Sequence, residues 1–178
     1  MFSKHRLEAL SDGVFAIVMT LLILDIRVPV DVPPGGLGAA LQRDSHAWIS
    51  FAITFAISSI FWNAQRRVFE LVDEMTTESL VLTFVFLGLV MVLPFSTSLW
   101  GHYIQEPLAF VLYFANQFAI AAVLTAKLEV SRMRGHLHHG VEAGLLRVRL
   151  YTMCAAMAAA AIGAAELPIG SFGLGRRR

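Results

Sequence analysis

Apolar residues dominate this chain in five runs. They fall at about residues 6–27, 47–63, 79–100, 108–127 and 149–166. Each run approaches the roughly 20 residues that a helix needs to cross about 30 Å of hydrocarbon. The breaks between them are polar or rich in helix breakers. Residues 28–45 hold Pro29, Pro33, Pro34, Gly35, Gly36 and Gly38, which predict a loop with a short interfacial turn at 37–41. Gln65, Arg66 and Arg67 close the second run, and Asp73, Glu74, Thr76, Thr77 and Glu78 lead into the third. Pro94 sits in the final third of the third run, and Pro107 precedes the fourth. A charged segment, 128–148, separates the fourth run from an alanine-rich fifth. The pattern predicts an all-α integral membrane protein: a bundle of five transmembrane helices forming one domain over residues 1–178.

The first run, RLEALSDGVFAIVMTLLILDIRV, is the most unusual. Ser11 and Asp12 lie near its start, Thr20 at its middle, and Asp25 and Arg27 at its end. Ile17, Leu21 and Leu24 are spaced i, i+4, i+7, so on a helix they make one narrow stripe.

Hydrophobic residues are 57% of the 178 residues, more than a soluble domain of this size needs. The net charge of +1 says little about partners, whereas its distribution predicts orientation. Lys4, Arg6, Arg66, Arg67, Lys127, Arg132, Arg134, Arg147 and Arg149 share one side, and only Arg27 and Arg43 lie on the other. That asymmetry predicts a cytoplasmic N-terminus in the plasma membrane. With five spans Arg176, Arg177 and Arg178 would lie outside. Either residues 167–175 turn back, although they are too short to span as a helix, or a sixth helix is absent. The only cysteine, Cys154, excludes an intramolecular disulfide, and no cleavable signal peptide is expected.

Taken alone, these residues have bland readings. Asp12 follows Glu8 by four, a like-charge pair on one helix face. It calls for a cation, with Arg66 and Arg67 at the same membrane side and Arg6 on another face, or it is an ordinary interfacial pair. Apolar stripes in membrane helices ordinarily face lipid or core, and a threonine hydroxyl often bonds to its own backbone. Ser50, Thr54 and Ser58 on the second span, and Tyr113, Asn116 and Gln117 on the fourth, read as interhelical hydrogen-bonding patches. His136, His138 and His139 in the charged loop suit a pH-sensing role better than a metal site, because no second ligand cluster accompanies them. No catalytic constellation or nucleotide-binding loop is visible, so an enzyme is not expected. A channel, a proton-coupled secondary transporter and a non-conducting scaffold all remain open. The transporter is disfavoured because the span centres hold no ionisable residue.

The stretch RLEALSDGVFAIVMTLLILDIRVP resembles the signature of the transmembrane protein 175 family of lysosomal potassium channels and their bacterial relatives. The signature residues are Arg6, Leu10 (in place of the usual phenylalanine), Ser11 and Asp12. Gly13-Val14-Phe15-Ala16-Ile17, Thr20-Leu21-Leu22 and Pro94-Phe95-Ser96-Thr97 continue the likeness. The resemblance implies a bacterial member with a six-helix pattern and a homotetramer whose first helices line a central cation pore. It implies a potassium-permeable channel without a carbonyl selectivity filter, and no TVGYG-like segment occurs. It assigns Ile17, Leu21 and Leu24 to stacked hydrophobic rings, with Thr20 adding a hydroxyl ring. Arg6, Ser11, Asp12 and Trp62 become structural. Trp62 is followed by Asn63-Ala64-Gln65-Arg66 where relatives often carry a histidine pair. No cofactor, metal or nucleic acid is implied. The expected partners are lipid, further copies of the chain and permeant potassium.

Overall fold

The computed structural model describes residues 4–43, 45–72, 76–135 and 141–165. All of the regular structure described is helical, and five segments are long and apolar enough to cross a membrane. The first is α1 (Lys4–Leu22), drawn out by a 3-10 turn at Ile23–Asp25. Its buried residues are Leu7, Ser11, Val14, Phe15, Val18 and Leu22, the i, i+4, i+7 rhythm of a one-sided helix. The chain then becomes extended at Ile26 and passes through a loop whose turns need positive φ at Asp31 and Gly35. A short helix, α2 (Leu37–Arg43), leads into α3 (Ser45–Leu71).

Helix α3 runs two turns past the expected end at Asn63. The reason is amphipathic: Gln65, Val68 and Phe69 point into the bundle while Arg66 and Arg67 stay on the outer side of the same turns. The third span is two helices, α4 (Thr77–Met91) and α5 (Leu93–His102), rather than the continuous helix expected over 79–100. Thr76 caps α4 by accepting a hydrogen bond from the Ser79 amide at 3.2 Å. The break falls at Val92, where Pro94 can enter the first turn of α5 but would obstruct an unbroken helix.

Helix α6 (Pro107–Met133) and helix α7 (Val141–Ala165) correct the reading of 128–148 as a loop. Most of that segment continues α6 or begins α7, with Leu128 and Ser131 fully or nearly buried. Ion pairs absorb its charge. The Glu129 carboxylate accepts from Arg132 Nε at 2.9 Å, Arg147 Nε at 2.6 Å and Tyr151 Oη at 3.3 Å, tying α6 to α7. Arg134 pairs with Glu78 at the start of α4. His136, His138 and His139, and the tail from residue 166, lie outside the described residues.

The core gathers Phe15, Val18, Phe61, Phe86, Val90, Ile120 and Leu124 from α1, α3, α4 and α6. The Phe15 and Phe86 rings lie 5.9 Å apart. Toward the other end, Trp100 of α5 stacks on Tyr113 of α6 at 4.6 Å. Tyr113 Oη shares a hydrogen bond of 2.9 Å with Thr54, whose hydroxyl also lies 3.1 Å from Thr97 Oγ1. One hydroxyl cluster thus joins α3, α5 and α6, with each bond contributing about 0.6 kcal/mol in a bilayer. Ser50, by contrast, bonds to its own helix at the Ala47 carbonyl, 3.0 Å away.

Ser50 also marks the closest approach of α3 and α5. A Cβ on Gly101 would stand 2.7 Å from Ser50 Oγ. Gly101→Ala should therefore destabilise the detergent-solubilised protein by about 1–3 kcal/mol. Ser50→Ala should restore most of that loss, read as the thermal unfolding midpoint of the single and double variants.

Candidate ion-conducting helix

Helix α1 has two faces with opposite fates. One is buried against α3, α4 and α5. On the other, Ile17 is 61% exposed, Leu21 43% and Leu24 71%, and Thr20 lies beside them. The four residues to which the resemblance assigned the ion path therefore share one exposed side of the helix. The Thr20 hydroxyl donates to the Ile17 carbonyl at 2.7 Å, so its hydrogen is committed and its oxygen remains an acceptor. Between Asp12 and Asp25 the helix carries no titratable side chain. Its backbone is helical through Leu22, so most of its carbonyls serve intrahelical bonds.

Side chains from other spans hold both ends of this helix. Near its start Ser11 is buried, and Asp12 Oδ1 accepts a hydrogen bond from Trp62 Nε1 at 2.8 Å. Lys4 Nζ donates to the Val72 carbonyl at 2.8 Å, so the start of α1 is tied to the end of α3 and the residue beyond it. The partner of Asp12 is thus an indole rather than one of the arginines weighed for the Glu8–Asp12 pair. Arg66 is engaged with Glu70 at 3.0 Å, and Glu8 lies 3.8 Å from His5 Nδ1. Arg6 is exposed nearly two turns before Asp12. At the far end, Asp25 Oδ1 accepts from Ser98 Oγ at 2.8 Å, and Asp25 Oδ2 lies 3.7 Å from His102 Nδ1. The sequence reading missed this second anchor. Its only signals are a carboxylate closing the first span and the i, i+4 spacing of Ser98 and His102 on the third.

A second feature also escaped it. Lys127 counted as a membrane-edge charge, yet it is 1% exposed. Its ammonium sits 3.7 Å from the centre of the Phe69 ring and makes no hydrogen bond among the described residues. The aromatic face offers the ammonium a direct electrostatic contact. Among the described residues, no three His, Cys, Asp or Glu side chains converge to hold a metal ion.

The Trp62–Asp12 bond joins residues 50 apart and fixes the α1–α3 register. Trp62→Phe keeps the ring and removes the donor. It should cost about 1–2 kcal/mol, the scale of a hydrogen bond to a charged acceptor. In a double-mutant cycle with Asp12→Asn, read by thermal unfolding, the two losses should not add.

The family whose sequence profile matches residues 6–94 is described as the endosomal/lysosomal potassium channel TMEM175, a channel family and not an enzyme family. A potassium channel of Streptomyces collinus is 37% identical over 106 residues, covering 60% of this chain and 52% of that protein. A potassium channel of Chamaesiphon minutus is 37% identical over 123 residues, covering 66% and 61%. The mouse endosomal/lysosomal proton channel TMEM175 is 33% identical over 143 residues, 71% of this chain but 29% of that one. The matched stretch thus spans between half and two thirds of the two bacterial relatives. The crystal structure of a lysosomal potassium-selective channel TMEM175 homolog from Chamaesiphon minutus superposes with a TM-score of 0.81 at 28% identity, covering 90% of this chain and 86% of that one. With the signature at Arg6, Ser11 and Asp12 inside the matched region, the chain belongs to the TMEM175 family.

Proposed function

We propose that this chain is one subunit of a potassium-permeable cation channel, a homotetramer in which α1 of each subunit lines the central path. The observation that carries the proposal is the division of α1. Its inner face is packed and its ends are pinned, while Ile17, Thr20, Leu21 and Leu24 lie exposed on the other face. A helix held in this way can present the same residues to three copies of itself. Ile17 to Leu24 spans about 10 Å of helix, enough for stacked rings.

The chemistry of that path differs from a carbonyl filter. Large apolar side chains repel water when the passage is narrow, so the rings can gate by dewetting and limit how much hydration an ion keeps. The acceptor oxygen of Thr20 offers a polar step among them. The bacterial relatives are named potassium channels and the mouse relative a proton channel. The lack of a titratable group along the α1 path favours a hydrated monovalent cation over a side-chain proton relay. Orientation follows from charge. Lys4, Arg66, Arg67, Arg132, Arg134, Arg147 and Arg149 gather with the N-terminus, which supports a cytoplasmic N-terminus in a bacterial plasma membrane.

The test is ion flux by the protein reconstituted in liposomes under opposing potassium and sodium gradients, with a proton gradient as a separate arm. Potassium should move faster than sodium. Leu21→Ala should raise total flux several-fold and reduce the discrimination. Leu22→Ala, on the buried face, should lower thermal stability and leave discrimination intact. Absence of potassium flux, or a Leu21→Ala protein identical to the parent, would sink the reading.

A further inference from the structure

A cleft of about 350 Å³ opens between the end of α3 and the start of α7, lined by Asn63, Arg66, Arg67, Glu70, Leu71 and Leu146. Its depth in the bilayer follows from the sequence of α3. Residues 47–65 carry no charge, about 28 Å of helix at 1.5 Å per residue. That length matches the hydrocarbon thickness, so Arg66 and Arg67 stand where lipid phosphates begin. One wall is apolar, from Leu71 and the buried Leu146, and the exposed Leu145 adjoins Leu146 on α7.

The cleft carries unused positive charge. Arg66 gives its Nε to Glu70 and leaves both terminal nitrogens uncommitted. Among the described residues the Arg67 side chain has no ion pair or hydrogen bond. Glu70 cancels one of these two charges and leaves the cleft a net positive charge. A guanidinium offers a planar fork that matches phosphate oxygens, and the Asn63 amide can bond a headgroup hydroxyl.

We infer that this cleft is a binding site for an anionic phospholipid, with its phosphate on Arg66 and Arg67 and its acyl chain along the apolar wall of α7. A zwitterionic lipid fits less well because its ammonium would meet the excess positive charge.

Native mass spectrometry of the full chain in detergent tests this, with phosphatidylglycerol and phosphatidylcholine of matched acyl chains as probes. The parent protein should retain phosphatidylglycerol preferentially. Each arginine near a lipid surface is worth roughly fivefold in affinity, so Arg67→Gln should weaken retention about fivefold and Arg66→Gln/Arg67→Gln about twenty-five-fold. Arg27→Gln, at the opposite end of α1, should leave it unchanged. The single variant carries the test if the double variant does not assemble. Equal retention of the two lipids by the parent would overturn the inference, as would an equal loss in Arg27→Gln and Arg67→Gln. Displacement of the lipid by millimolar inorganic phosphate would mark a free-phosphate site and overturn it too.

Discussion

Everything in this protein depends on α1 being gripped from one side only. In a bilayer the hydrophobic effect does not drive helices together, because lipid is as apolar as leucine. What holds α1 is close packing of Val14, Phe15, Val18 and Leu22, plus a polar contact at each end. Phe15 against Phe86 fixes its distance from α4, and Trp62 against Asp12 fixes its rotation relative to α3. A helix pinned in rotation presents a constant set of residues on its free side. That constancy is what a conduction path built from side chains requires, and it is more demanding than membrane insertion itself.

The remaining helices serve this grip. The break between α4 and α5 at Val92 changes the course of the third span, so that α5 brings Ser98 and His102 to Asp25 while α4 packs Phe86 beneath Phe15. The hydroxyl cluster of Thr54, Thr97 and Tyr113 joins the helices behind α1, where an apolar contact would allow more sliding. Beyond the apolar zone, Glu129 collects Arg132, Arg147 and Tyr151 into one hub and ties α7 to the bundle. Lys127 is the costly exception, an ammonium inside the bundle with an aromatic face as its nearest support.

The existence of the spans was legible because a bilayer imposes a length, and apolar runs of about 20 residues are rare without one. Their ends were less legible. Hydropathy stops at Asn63, yet Val68 and Phe69 keep α3 helical and packed well past the polar residues. The charged segment 128–148 looked like a loop because charge counts cannot reveal partners, and Glu129 finds one of its partners 18 residues away. The stripe of Ile17, Leu21 and Leu24 was legible as one face, since spacing determines a face. What that face meets was not, because periodicity is the same for lipid, core and pore. The Asp12 contact to Trp62 was not legible, because it joins residues 50 apart on two helices and pairs a carboxylate with a neutral donor.

The most direct test asks whether water reaches the free face of α1 inside the assembled protein. Single cysteines at Ile17, Leu21 and Leu24 would be introduced into a Cys154→Ala background, with Phe84→Cys on the exposed side of α4 as the comparison. A cationic, membrane-impermeant methanethiosulfonate would then be applied during current recording. A pore-lining α1 face gives block at the α1 positions and no effect at Phe84. Unchanged current in all three α1 variants, with the Phe84→Cys protein equally silent, would contradict it by placing that stripe against lipid.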